Sequence, residues 1–248
     1  MNDTMKICVA VTAAILGLTA PGAALAGPGN CYLRADTGYS WSTNPDASAT
    51  HVFVSGPVTE STLSNTWFVE AGFGCSWLRH AAVGSIKDAP VVVTTSGLRG
   101  EVMLGYHGRR DFHGVPPNPQ FPLDPVFTGV TTVTLMSNLY YDFHSLHGLT
   151  PYIGAGIGAA FHDTDQVTFH DATLVYVLSP QRQTNFAWQL MAGVTREVGN
   201  GLLLDVGYRY SDLGDVSTSS PVIGHAFNLE RLTSHEVKIG LRIPLWLR

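Results

Sequence analysis

Ten charged residues sit where the chain is otherwise apolar, and their spacing suits ion pairing. They are Arg34, Asp36, Glu70, Arg99, Glu101, Asp205, Arg209, Glu236, Lys238 and Arg242. Each lies on the polar phase of a segment whose other phase is oily. Five are cations and five are anions, so the set can neutralise itself away from bulk water. Cys31 and Cys75 can form a disulfide in an oxidising compartment. His51, His113, His162, His170 and His225 fall in polar connections, and His is a common metal ligand. None of them has a helical i, i+4 partner with a carboxylate base, so solvated loop histidines are expected. Ser234-His235-Glu236 contains the residue types of a hydrolase. Neighbours in a strand point to opposite faces, so these three cannot form one triad. No catalytic group, metal or cofactor is therefore expected, and the chain is not read as an enzyme.

The elements that must position these residues are strands. In the last segment Val237, Ile239, Leu241, Ile243 and Leu245 alternate with Glu236, Lys238, Gly240, Arg242 and Pro244. That is strict period two, with one oily and one polar face. The pattern recurs around Leu33–Trp41, Trp67–Phe73, Leu98–Tyr106, Val133–Tyr141, Ile153–Phe161, Phe186–Val194 and Leu202–Tyr210. Eight segments of about ten residues have the length a tilted strand needs to cross a bilayer. Long polar connections (42–65, 108–127, 162–183 and 212–232) alternate with short ones at 142–149 and 197–201. The join 76–97 is long for its side, and Pro90-Val91-Val92-Val93 suits an extra strand or a strand extension. Pro116-Pro117-Asn118-Pro119 selects no single loop conformation.

Composition separates a membrane barrel from a soluble one. Of the 248 residues only 13% are charged, while 10% are aromatic. A water-facing surface runs nearer a quarter charged. Aromatics at segment ends, among them Tyr39, Trp41, Trp67, Trp77, Tyr106, Tyr208, Tyr210 and Trp246, suit interfacial girdles. With 14 Lys and Arg and no basic run, no nucleic-acid partner is expected. Residues 1–26 read as a cleaved signal peptide: Lys6, an apolar run from Ile7, then Ala24-Leu25-Ala26. Translation from Met5 would remove the odd Asp3, and residues 27–248 are the expected barrel domain. The fold expected is all-β, an eight-stranded antiparallel up-and-down transmembrane barrel with both termini periplasmic. In that hairpin geometry Cys31 and Cys75 meet on one face, which predicts a structural disulfide.

Three stretches resemble the small alphaproteobacterial outer-membrane β-barrels, the porin-family surface antigens related to OmpA- and OmpX-like barrels. They are Leu139–Asp142 with Thr150–Gly158, Leu203–Gly214, and His235–Trp246. The resemblance implies a Gram-negative cell envelope, a lipid and lipopolysaccharide environment, and barrel-assembly machinery during biogenesis. Such barrels commonly end on an aromatic residue, whereas Trp246 here is followed by Leu247 and Arg248. The role expected is envelope structure and surface-antigen presentation, with a lumen filled by paired charges. A small passive porin for ions or solutes is the alternative. Host contact, or haem or ligand binding, by the outer loops is a third.

Overall fold

The computed structural model describes residues 31–51, 54–81, 95–115, 125–170, 175–199, 201–220 and 225–245. The expected signal peptide, Pro90–Val93, Pro116–Pro119 and Trp246 lie outside them.

Strand β1 (Cys31–Ser42) is followed by three short strands, β2 (Asp46–His51), β3 (Val54–Pro57) and β4 (Thr59–Leu63). Four long strands come next: β5 (Thr66–Ala81), β6 (Thr95–Val115), β7 (Val126–Asp142) and β8 (Leu149–Thr164). The short β9 (Val167–His170) and β10 (Val175–Leu178) precede β11 (Gln181–Gly199) and β12 (Leu202–Asp212). Finally β13 (Val216–Ser220) and β14 (His225–Glu230) lead to β15 (Thr233–Pro244).

Eight of these strands close into a ring. The order is β1–β5–β6–β7–β8–β11–β12–β15, every pair is antiparallel, and β15 returns to β1. Closure removes every sheet edge from the wall. The wall is inside-out relative to a soluble barrel. Leu33, Phe73, Leu139, Ile157, Leu190 and Ile239 are exposed on its outside, while Arg34, Glu101, Asp205, Arg209 and Lys238 are buried within. Only a hydrocarbon surround makes that arrangement favourable. Glycines thin the inner face where neighbours need room. A side chain at Gly154 would meet the Tyr140 ring, and one at Gly156 would meet Asn138.

One end of the barrel has short turns. Between β7 and β8, Leu146 and Leu149 exchange backbone hydrogen bonds of 2.8 and 3.0 Å. The two residues between them, His147 and Gly148, have φ of 51° and 79°. A two-residue hairpin whose central φ are both positive matches the strand twist, and Gly148 takes that geometry at little cost.

The other end differs from expectation. The described residues of the connections 42–65, 108–127, 162–183 and 212–232 are largely in strands. β6 runs on to Val115 and β7 begins at Val126. A second sheet has the order β13-β14-β2-β3, and β4, β9 and β10 extend the wall. Join 76–97 is in part strand extension, to Ala81 and from Thr95. These outer strands alternate too. Ala47 and Ala49, Val216 and Thr218, and Phe227 and Leu229 are buried, while Ser217 and Ser219 between them are exposed. Their buried faces make an apolar core with Phe112, Val126, Val130, Val167, Leu178, Leu213 and Leu232. The Phe112 and Phe227 rings meet at 5.1 Å. Small residues such as Ala, Ser and Thr carry weak hydropathy contrast, which is why these strands read as polar connections.

Candidate functional site

Strand register sets the interior chemistry. Across β1–β5, Asp36 lies directly opposite Glu70; across β1–β15, Arg34 lies directly opposite Arg242. Like charges in facing positions repel. Each clash is relieved by a third side chain. Lys238 donates to Asp36 Oδ2 at 2.8 Å and to Glu70 Oε1 at 3.1 Å. Asp205 accepts both Arg242 Nε at 2.6 Å and Nη2 at 2.8 Å, and its Oδ1 lies 3.7 Å from Arg34 Nη2.

All ten charged residues singled out from the sequence are buried, and the structure joins them in one alternating ladder. At the short-turn end Arg99 Nε donates to Asp142 at 2.9 Å, and its Nη1 pairs with Glu101. Glu101 accepts Arg34 Nη1 at 2.9 Å, and Arg34 Nε reaches Asp36 at 2.8 Å. Lys238 links Asp36 to Glu70, which accepts Arg209 Nη1 at 2.6 Å. Arg209 Nε then pairs with Glu236. Aromatic faces sheath the guanidinium groups: Arg99 lies 3.7 Å from the Tyr140 centroid, and Arg209 lies 4.7 Å from that of Phe68. Tyr32 donates to Glu101 at 2.6 Å. At the short-turn end a vestibule of about 410 Å³, lined by Trp77, Asp142 and Arg242 among others, leads up to the lowest rung.

Two members escaped the sequence reading. Asp142, placed in a turn, is the last residue of β7 and turns its carboxylate to Arg99. Arg110, placed in a loop, is fully buried at the top of the ladder. A register shift between His107 and Arg110 causes this. Unbroken alternation past His107 would carry Arg109 inward; the bulge sends Arg110 inward and Arg109 out. The exposed Arg109 pairs with Asp111 at 2.7 Å and Asp165 at 2.8 Å. Hydrogen bonding to Asp111 holds its guanidinium above the ordinary value.

His162 corrects the expectation of a solvated loop histidine. It lies on β8, buried, with Nδ1 2.9 Å from Thr132 Oγ1 and Nε2 2.9 Å from the Leu213 carbonyl. His113 lies on β6 against the Phe127 ring, and His51, His170 and His225 fall on β2, β9 and β14. Among the described residues, no group of three or more His, Cys, Asp or Glu is placed to hold a metal ion. Ser234 and Glu236 face inward and bond at 3.2 Å, whereas His235 packs outside against Tyr208 and Tyr210. Cys31 and Cys75 are register partners of β1 and β5, and a disulfide joins them.

Comparison with known proteins adds the family. Residues 10–241 match the family model described as outer membrane protein beta-barrel domain. PagN, an outer membrane protein of Salmonella typhimurium, is 34% identical over 100 residues, covering 39% of this chain and 42% of PagN. A candidate adhesin of Rickettsia conorii is 30% identical over 128 residues, covering 46% of this chain and 49% of its own. The matched stretches thus span less than half the length of these relatives. Among solved structures, OprG of Pseudomonas aeruginosa aligns over 87% of this chain and 96% of its own, at 12% identity and a TM-score of 0.49.

Proposed function

Because this chain belongs to the outer membrane β-barrel family, we propose that it is a non-conducting barrel of the outer membrane that works through its outer strands. The barrel is the anchor and the β-structured extension is what the cell presents, as an envelope-structural and surface-antigen protein. One observation carries this reading. The lumen is filled by the ladder, and the apolar core of the extension lies over it. Eight strands leave an interior just wide enough for side chains, and here those side chains are bonded to each other. A conduit would need charges that water can solvate.

The termini and short turns lie on the periplasmic side, the extension faces outward among lipopolysaccharide, and barrel-assembly machinery inserts the chain. The role is non-enzymatic. The likeness to a candidate adhesin favours host-surface contact by the extension as the second reading. Residues 1–26 direct export and are removed.

The deciding experiment is single-channel recording on folded protein in a planar lipid bilayer. Insertion is confirmed first by fluorescence of labelled barrel. A silent bilayer containing inserted barrels is the expected result. Reproducible current steps would overturn the closed-lumen reading and restore the passive-pore alternative.

The Cys31–Cys75 disulfide acts as a clamp at the barrel's short-turn end. Cys31→Ser with Cys75→Ser is expected to lower the free energy of urea unfolding by about 2–4 kcal/mol. Reduction of the native protein should reproduce the shift, and should leave the double variant unchanged.

A further inference from the structure

The outside of the wall changes character at one level. On β6 and β8 the exposed rings of Tyr106 and Phe161 end the apolar face. The outward positions that follow them are Arg109, Asp111, Asp163 and Asp165, all exposed. Charges as exposed as these belong in water, above the hydrocarbon band. There the wall carries a concavity of about 640 Å³, lined by Arg109, Asp111, Asp165, Gln166, Thr168 and Phe127 among others. That is the size of a small-molecule site.

The polar groups of the concavity are ordered by one another. Arg109 Nε donates to Asp111 Oδ1 at 2.7 Å, and its Nη1 lies 2.8 Å from Asp165 Oδ2. Gly129 makes room for this arrangement: a side chain there would meet Arg109 Nε and Asp165 Oδ2 at 2.6 Å. The bare backbone lets the pair lie close against the wall. The second oxygen of each carboxylate has no hydrogen bond among the described residues. The Phe127 ring, exposed and edge-on to His113 at 4.9 Å, is an apolar part of the lining. Two carboxylates flank one guanidinium, so the balance of charge is negative; the nearby Asp163–Arg182 pair cancels itself.

A sugar ring matches such a lining. Its hydroxyls both donate and accept, and its C–H face is apolar. Fixed carboxylate oxygens take hydroxyl protons, guanidinium and amide N–H groups give to hydroxyl oxygens, and an aromatic ring covers the C–H face. Ordering the polar groups beforehand lowers the cost of binding. The negative balance turns sulfate and phosphate away. We infer that this concavity binds an uncharged pyranose of a surface glycan, on the side of the wall and not over the lumen. The inference rests on the reading that this end of the barrel faces outward, and does not depend on whether the lumen conducts.

The test places folded, fluorescently labelled barrel in lipid nanodiscs on an array of immobilised glycans. The array carries neutral host-cell oligosaccharides, neutral bacterial O-polysaccharides and heparin. Native barrel is expected to be retained on neutral glycans, and the set that retains it tells whether the sugar comes from a host or from the envelope. Asp111→Ala with Asp165→Ala should weaken that retention about tenfold or more. The same double variant leaves Arg109 without its carboxylates, so retention on heparin should rise. Asp163→Ala, which changes an exposed pair outside the lining, should leave retention on neutral glycans unchanged. The substituted side chains are exposed, so these variants keep the barrel's core. No retention of native barrel on any neutral glycan, undiminished retention of the double variant, or a native preference for heparin would overturn the assignment. Both ends of the barrel meet solvent in a nanodisc, so the result is separate from orientation in the cell and from conductance.

Discussion

Asp205→Asn is expected to cost the folded barrel about 3 to 5 kcal/mol, close to the whole margin of an ordinary domain. The residue keeps its shape and loses its charge. Arg242, bound to Asp205 by two hydrogen bonds, is then buried as an uncompensated cation, and Arg34 loses its third carboxylate neighbour. Thr195, which donates to Asp205 Oδ1 at 3.0 Å, cannot replace the charge. The diagnostic comparison is the double variant Asp205→Leu with Arg242→Met. Removing both partners leaves no buried charge behind, so the double variant should be more stable than Asp205→Asn alone. Urea unfolding in lipid vesicles gives all three values. A double variant no more stable than Asp205→Asn would mean that the Arg242 charge is not what makes the loss large.

Phe227→Ala is expected to release about 3 to 5 kcal/mol of local stability from the outer extension while the barrel wall stays intact. The ring is buried in the apolar core and packs on Phe112, far from the charge ladder's lower rungs. The effect should therefore be regional. Amide hydrogen exchange in β2, β13 and β14 should accelerate by two orders of magnitude or more, with exchange in β8 and β12 unchanged. Uniform acceleration throughout the barrel would show that extension and wall unfold as one unit.

The wall was legible because bulky apolar residues alternate with charges or glycine over ten positions. A β15 that reads Val237, Ile239, Leu241 against Glu236, Lys238, Arg242 admits one period and one burial direction. The ladder's members followed from the same phase. Its connectivity did not, because partners such as Arg209 on β12 and Glu70 on β5 sit on strands that only the closed ring brings together. The outer extension stayed hidden for a different reason: β2 and β13 bury Ala and Thr, so their alternation has almost no hydropathy amplitude. Arg110 was obscured by the bulge after His107, a change of phase that no count of alternating residues anticipates. His162 reads as a loop residue because its strand runs on past the point where the apolar pattern stops.

The placement of charges around the β1–β15 seam bears on how the chain is made. Asp36 and Ser40 on the first strand meet Lys238 and Glu236 on the last, across about 200 positions of sequence. Until those strands meet, a sheet that has already entered lipid carries Asp36 and Lys238 each without the other. Sealing the cylinder and discharging its interior are then one event. A chain that curls out of register leaves Asp36 without Lys238 and Glu236 without Ser40, and carries that cost until it re-registers, so the final strand proofreads the first.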